Sequence, residues 1–272
     1  MTDPAKGLDQ NRYRALIEHI FFQPAYGDYT DGKTVIPFKR EDLESAAGEL
    51  GIALPKNLGD VVYSIRYRTP MPASVLATQP EGMEWIVEGA GRALYRFCLV
   101  PVNRIVPNRD LITIKIPDAT PEIIGTYTLN DEQALLAKVR YNRLIDTFLG
   151  ITAFSLQNHL RTTVKGVGQI EIDEVYVGVD RHGVQYVVPV QAKGGSDQLS
   201  VVQAKQDIAC CAEKFPDLVC RSISAQFMDD ERIAIFELTV QDDQVRIVEE
   251  RHYKLVTGQV PLDDLALYRR SA

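Results

Sequence analysis

Gly168 to Gly195 reads GQIEIDEVYVGVDRHGVQYVVPVQAKGG, and this stretch decides the fold. It contains two apolar-rich strands joined by the polar turn Asp180-Arg181-His182-Gly183, whose glycine suits a hairpin connection. Acids crowd the first strand (Glu171, Asp173, Glu174), and Gln191-x-Lys193 ends the second. Strand side chains alternate between faces, so Gln191 and Lys193 share one side while Val190 and Ala192 take the other. On the first strand Ile170 and Ile172 have one parity, whereas Val175, Val177 and Val179 have the opposite one. A register shift of the kind a β-bulge produces is therefore expected around Asp173 and Glu174. Pairing the strands brings the acids near Gln191 and Lys193.

Oxygen ligands of this type suit Mg²⁺ and Mn²⁺, which usually keep waters and accept phosphate oxygens as further ligands. Such an ion lowers the pKa of a bound water and neutralises charge developing on a phosphorane, and a nearby ammonium adds to that stabilisation. The plainer alternative makes Lys193 a solvated strand end and the acids an exposed hairpin face.

With Asp173 followed by YVVPVQAKGG, the segment resembles the PD-(D/E)xK nuclease superfamily, which includes type II restriction endonucleases, Holliday-junction resolvases and repair nucleases. The resemblance implies an acid on one strand and an acid-x-lysine on the next as the catalytic core. Carried onto this chain, it makes Asp173, Gln191 and Lys193 the catalytic residues, with Asp173 and Gln191, joined by Glu174, as ligands of Mg²⁺ or Mn²⁺. Gln191 stands where the family usually has Glu or Asp, no proline precedes Asp173, and Asp173 lies further from the lysine than in compact members. A glutamine ligates through its carbonyl oxygen with less charge, so weaker metal binding is implied. Glu171 and Glu174 are placed to supply what Gln191 lacks, and the choice among Glu171, Asp173 and Glu174 stays open.

The flanks agree with that core. Asp131 to Leu149 has near-helical spacing behind an Asn130/Asp131 cap signal, Gly150 is a plausible stop, and Ile151 to Leu160 reads as a second short helix. Asp197 to Cys211 places Leu199, Val202, Ile208 and Cys211 on roughly one helical face. Strands are expected at Cys220 to Met228, Arg232 to Val240 and Gln244 to Glu250.

Nearer the N-terminus, Arg40 to Leu50, Gly51, and a helix from Pro55 to Arg66 with proline in its first turn have helix-turn-helix spacing. Met83 to Glu88 and Ala93 to Pro101, joined by Gly89-Ala90-Gly91-Arg92, form a hairpin suited to the wing of a winged helix. Lys56, Asn57, Tyr63, Arg66 and Arg68 are candidates for groove and backbone contacts. Lys138, Arg140, Arg143, Arg161 and Lys165 precede the acid-rich hairpin, and Arg143 and Arg161 join the DNA-contact candidates. The expected division is a winged-helix-like domain over 1–105, a connecting segment over 106–130 whose Leu111 to Ile116 run reads as an edge strand or connecting layer, and a nuclease domain over 131–272.

At 272 residues and 45% hydrophobic the chain has ample core material for two domains. A net charge of −7 weighs against nucleic acid in bulk, but phosphate contacts depend on local positive charge and metal sites gather acids. No run is long and apolar enough to span a membrane, and MTDPAKGLDQ lacks a signal-peptide core, so a cytoplasmic protein is expected. The four cysteines show no zinc spacing and read as reduced thiols.

The expectation is an α/β (α+β) chain, in which a restriction-endonuclease-like mixed sheet flanked by helices follows a winged-helix-like domain. Its expected function is Mg²⁺-dependent, sequence-specific cleavage of double-stranded DNA as a homodimer. The alternatives are a structure-specific repair or recombination nuclease, and a winged-helix DNA-binding regulator whose nuclease core is inactive.

Overall fold

In the computed structural model, the structure describes residues 4–67, 69–102, 105–127, 132–194, 201–228 and 230–270. The chain divides into two compact units, one of residues 1–103 with 163–169, the other of 104–162 with 170–272. Residues 106–127, read from sequence as a connecting segment, thus belong to the second unit.

The first unit contains α1 (Pro4–Phe22), β1 (Val35–Lys39), α2 (Arg40–Leu50), α3 (Gly59–Tyr67), α4 (Ala73–Leu76), β2 (Met83–Gly91) and β3 (Leu94–Pro101). The strands form an antiparallel sheet in the order β1-β3-β2. Helical spacing puts Leu16, Ile17, Ile20 and Phe21 of α1 on one buried face with Leu43 and Ala46 of α2 and Val61, Val62 and Ile65 of α3. Phe21 lies edge-on to both Trp85 and Phe97, with centroids 5.1 Å away in each case.

Local chemistry sets the helix ends. The Asp42 carboxylate accepts the Lys39 N–H at 2.6 Å in the first turn of α2, and Gly51 closes that helix at φ 65°. The next helix begins at Gly59 rather than Pro55, because Asn57 acts first: its Oδ1 accepts the Gly59 N–H at 3.1 Å and its Nδ2 donates to Asp60 at 2.9 Å. Gly89 must stay glycine, since a Cβ there would lie 1.8 Å from the Val167 carbonyl oxygen.

The second unit runs β4 (Thr113–Pro117), α5 (Glu122–Tyr127), α6 (Glu132–Tyr141), α7 (Leu144–Leu149), β5 (Thr152–Val164), β6 (Gly168–Val179), β7 (Gln185–Lys193), α8 (Val201–Lys214), β8 (Val219–Cys220), β9 (Ser222–Phe227), β10 (Arg232–Gln241), β11 (Gln244–Val256) and α9 (Leu262–Arg270), except that the β5–β6 tip, residues 163–169, is counted with the first unit. Its sheet has the order β4-β11-β10-β9-β7-β6-β5, with β8 paired to β7 beside β9. β6 is antiparallel to β7, β9 to β10 and β10 to β11, whereas β7 is parallel to β9 and β11 to β4. The class is therefore mixed α+β, a mixed sheet flanked by helices. One sheet face packs Tyr176, Val188, Val190, Ala192, Ile223 and Ile235 against Leu135, Leu136 and Val139 of α6 and Leu144, Ile145 and Phe148 of α7. On the other face, Ala204 of α8 packs with Phe236, Leu238 and Val245.

The sequence expectations for this unit need correction in several places. The helix expected over 131–149 is two helices, because Asn142 draws its chain out of the helical path. Its Oδ1 accepts the Ala119 N–H at 2.7 Å and its Nδ2 donates to Thr120 Oγ1 and the Lys138 carbonyl, each at 2.9 Å. Arg143 then takes a left-handed conformation at φ 48° and α7 restarts. The Asn130/Asp131 cap lies outside the described residues. Ile151 to Leu160 is not a helix but most of β5, an edge strand with Phe154 and Leu156 turned outward at 61% and 52% exposure. The Leu111–Ile116 run supplies the opposite edge, β4, and α9 was not foreseen from the pattern.

Pro189 sits inside β7, where a missing N–H would cost a ladder bond. The sheet accommodates it: β7 pairs with β8 at Tyr186 and Val187 and with β9 from Val190 to Lys193, so the neighbouring ladder is interrupted where the proline falls.

Candidate active site

The β6–β7 ladder runs from Val179 opposite Gln185 to Glu174 opposite Val190 without a register shift, and there it ends. No bulge re-aims the acids in that ladder; side chains take over from backbone pairing instead. Asp173 Oδ2 accepts the Ala192 N–H at 2.9 Å, and Gln191 Nε2 donates to the Glu171 carbonyl oxygen at 3.1 Å. β7 meanwhile stays paired to β9 as far as Lys193, which holds its end rigid while β6 departs.

Strand alternation sorts the acids onto two faces. Glu174 is fully buried on the α6 side, where Arg140 Nε donates to it at 2.8 Å and Ser155 Oγ at 2.6 Å. Glu174 is therefore not gathered with Asp173, contrary to its sequence assignment as a metal ligand: consecutive strand residues cannot share a face. Asp173 and Gln191 face the other way, toward α8, where Gln191 Nε2 also donates to Asp207 Oδ1 at 3.2 Å. Gln191 Oε1 accepts from Gln203 Nε2 at 3.4 Å. At the strand end, Lys193 Nζ donates to Glu132 Oε1, the first residue of α6, at 3.1 Å, and only 14% of the lysine side chain is exposed. Glu171 turns its carboxylate to Arg161 at 3.1 Å and His159 at 3.5 Å.

Glu132, Gln203 and Asp207 are members of this group that the sequence reading missed. Glu132 is the ordinary first-turn acid of a helix, and Gln203 looks like a solvated helix position. Asp207 carried the one available signal, an acid on the buried helix face that also holds Ala204 and Cys210.

Burial governs the electrostatics. It raises the pKa of Asp173, opposed by the Ala192 N–H and the Lys193 ammonium and reinforced by the charges of Glu132 and Glu171. Asp207 is buried entirely and its carboxyl is pushed well above the usual range, the Gln191 bond and Lys193 opposing and Asp173 adding. Its Oδ2 has no hydrogen-bond partner. Burial also lifts Cys210 to about 11, which makes it an inert core thiol, and the four cysteines are free.

The oxygen groups around the end of the hairpin are a carboxylate on β6, an amide on β7 and a carboxyl on α8, with the carboxylate that opens α6 held by Lys193 at the strand end. Among the described residues, no cluster of three or more His, Cys, Asp or Glu side chains forms a ready metal cage. Mg²⁺ does not require one, because it is commonly held by one or two carboxylates with waters and phosphate oxygens completing the shell. Asp173, with one oxygen not used by Ala192, and Glu132 fit that pattern. Gln191 fits it less well, because its N–H bond to a carbonyl oxygen fixes the amide so that Oε1 looks toward Gln203.

The DNA-contact candidates are scattered. Lys56 is exposed and Tyr63 is 45% exposed. Asn57 serves as the α3 cap described above. Arg66 is turned inward: its Nε donates to the Val87 carbonyl at 2.8 Å and its guanidinium lies over the Tyr95 ring at 5.9 Å, a strut between helix and sheet rather than an outward reader. Arg68 lies outside the described residues. Arg143 pairs with Asp146, and Arg161, 72% exposed, pairs with Glu171.

No protein-family model, curated protein or solved structure matches the chain. Its function is therefore argued from geometry. Among the described residues no helix is long and apolar enough to cross a membrane.

Proposed function

We propose that this chain is a Mg²⁺-dependent endonuclease for double-stranded DNA, built on the restriction-endonuclease-like core of the PD-(D/E)xK superfamily, with a winged-helix-like N-terminal unit that contributes to DNA binding. One observation carries the reading. Asp173, Gln191 and Lys193 meet where an antiparallel pair, β6–β7, stops pairing, and β7 continues parallel to β9 through the crossover helix α8. That arrangement places a carboxylate held by the Ala192 N–H and an ammonium held by Glu132 at one end of the strand pair, which suits binding and cleavage of a phosphodiester.

In this reading Asp173 and Glu132 would hold the ion, and Mg²⁺ bound there would supply a water of lowered pKa and positive charge toward the phosphodiester. Lys193, steadied by Glu132 and shielded from bulk water, sets its ammonium against the negative charge that develops on the phosphorus oxygens; such preorganised charge counts for more in a site that excludes water. The Ala192 N–H fixes the Asp173 carboxylate in place. In the first unit, support comes from the order α1-β1-α2-α3-α4-β2-β3, a winged-helix-like order with the short α4 added, with β1 paired to β3, and from exposed Lys56 before α3 and Tyr63 on it. Cutting both strands of a duplex takes two such sites, so a homodimer is the economical assembly.

Incubation of the pure protein with plasmid and phage DNA, with Mg²⁺ or with chelator, tests the proposal. Discrete fragments that appear only with the metal are expected. Intact DNA under Mg²⁺ and Mn²⁺, together with specific binding, would instead favour the DNA-binding regulator, whose supporting observation is that Gln191 is neutral and its amide is already engaged.

A further inference from the structure

We infer that the β5 edge of the second unit is the surface on which two copies of this chain pair, strand against strand and antiparallel about Ser155. The inference supplies an interface for the homodimer of the proposed function, but it rests on the sheet edge and holds whether or not the chain cuts DNA.

The two edges of the eight-stranded sheet are finished differently. β4 is five residues long, contains Lys115 and ends on Pro117. Tyr268 of α9 bridges two of its backbone groups: the Lys115 N–H donates to Tyr268 Oη at 2.9 Å, and that hydroxyl donates to the Thr113 carbonyl oxygen at 3.1 Å. The Lys115 ammonium is itself held by Asp264 at 2.7 Å. Short length, a proline, a charge and a cover are the usual means of keeping other chains off a sheet edge. The first half of β5 has none of these. Residues 152–158, TAFSLQN, contain no charged residue and no proline, in a strand of 13 residues. Asp146 Oδ1 takes the Ala153 N–H at 2.9 Å where the strand begins, and among the described residues no side chain is bonded to the backbone of 154–158. Such an edge offers a row of N–H and C=O groups to another strand.

The side chains match a second copy. Phe154 and Leu156, 61% and 52% exposed, stand two residues apart and so share one face of the sheet. Pairing about Ser155 sets Phe154 of each copy opposite the partner's Leu156, giving two aromatic–aliphatic cross-strand pairs related by a two-fold axis. It brings no like charges together, so the segment is complementary in charge to itself, whereas an acidic or basic strand would find no counter-charge on it. Leu156 also lines a groove of about 210 Å³ with Leu160, Val175 and Phe215. An apolar cavity of roughly 150 Å³ accepts a benzene ring, so this groove has room for the partner's Phe154. The paired segment ends at His159, whose φ of 49° interrupts the extended path. Seven strand residues a side are fewer than the roughly 20–30 of a standard interface, so the dimer should dissociate on dilution.

Sedimentation equilibrium of the full-length protein over a concentration series tests this on wild type, Phe154→Glu, Leu156→Lys and the double exchange Phe154→Glu/Leu156→Lys. Wild type should approach twice the 30.5 kDa chain mass as concentration rises. Each single exchange sets a charge against an apolar side chain of the partner and should weaken association at least tenfold. The double exchange sets opposite charges face to face across the two-fold axis and should recover most of the loss. Both side chains are exposed in the single chain, so the fold should survive, as circular dichroism would report. In wild type the amides of 154–158 should gain protection from hydrogen exchange as concentration rises. A wild-type chain that stays monomeric at every concentration, a dimer indifferent to both single exchanges, or a double exchange no better than either single one overturns the inference. Plasmid cleavage with Mg²⁺, run in parallel, keeps the two readings apart. Association through β5 without cleavage leaves this inference standing and removes the nuclease, and cleavage by a chain that never associates does the reverse.

Discussion

Adjacent acids on β6 should give opposite phenotypes. Glu174 is fully buried, faces α6 and has the Arg140 guanidinium at 2.8 Å. Glu174→Gln keeps an oxygen that can accept from Arg140 and Ser155 but removes the charge. Breaking one side of a buried ion pair costs about 3–5 kcal/mol when both partners are sequestered. The Arg140 side chain is 36% exposed, so water recovers part of the loss, and the level of a hydrogen bond to a charged group, about 1.5–3 kcal/mol, is the better measure here. For a unit of this size that lowers Tm by roughly 4–10 °C.

Asp173→Asn has the reverse sign. Burial raises the folded-state pKa of Asp173, so the folded protein holds that proton more tightly than the unfolded chain does. The stability linked to that proton is complete below the ordinary carboxylate pKa and is lost as pH rises through the folded value. A neutral asparagine, still able to accept the Ala192 N–H, escapes that loss. At pH 7.5 Asp173→Asn should therefore melt at or above the wild-type temperature, and the difference should close as pH approaches about 4. Cleavage should disappear in Asp173→Asn, whereas Glu174→Gln should retain a turnover rate close to wild type below its melting range. Thermal melts across pH, paired with plasmid cleavage, measure both. If Asp173→Asn is destabilised as much as Glu174→Gln, or if Glu174→Gln loses cleavage while melting normally, the assignment of the two acids to opposite faces and opposite duties is wrong.

Lys193→Ala should reduce single-turnover cleavage by orders of magnitude while DNA affinity in Ca²⁺ changes little, and Lys193→Arg should rescue poorly because a planar guanidinium does not reproduce a compact charge; a large affinity loss with normal chemistry would make the lysine a ground-state phosphate contact. Lys56→Ala should weaken binding to all DNA sequences alike, whereas Arg66→Ala should chiefly destabilise the first unit by about 1–2 kcal/mol through loss of its bond to Val87, as urea titration would report; relaxed sequence specificity in Arg66→Ala would contradict its inward placement. Asn142→Ala should cost about 2–4 kcal/mol, because it leaves partners on the 119–120 segment and on α6 unsatisfied, and an unchanged denaturation midpoint would show that the break between α6 and α7 has another cause.

The second hairpin was legible because its information is local. Alternating apolar residues and the DRHG turn specify two strands, and helical spacing over 197–211, of which 197–200 lie outside the described residues, specifies the helix that the structure uses as a crossover between parallel neighbours. Elements whose shape is set by distant contacts were misread. Nothing near Asn142 says that its amide will bond residues 119 and 120, so an uninterrupted helix was the natural inference. β5 failed for a different reason: an edge strand leaves Phe154 and Leu156 outward, and without a buried face to enforce alternation its apolar residues imitate helical spacing. The apparent parity shift at Asp173 and Glu174 was real in the sequence, but its meaning was the end of a ladder, where residues on either face of β6 become buried for separate reasons.

The catalytic candidates were legible as a set of residue types and only partly as an assembly. Strand parity put Asp173, Gln191 and Lys193 together, but it could not say what the departing strand would leave them to bond. Once the β6–β7 ladder ends, Asp173 must take a backbone donor and Gln191 a backbone acceptor, and that demand fixes the direction of the glutamine amide. An amide fixed in this way has its donors turned toward α8, where Asp207 accepts from it. Neither partner of that bond is readable from its own neighbourhood, because the bond exists only once β7 pairs with β9 and α8 crosses between them.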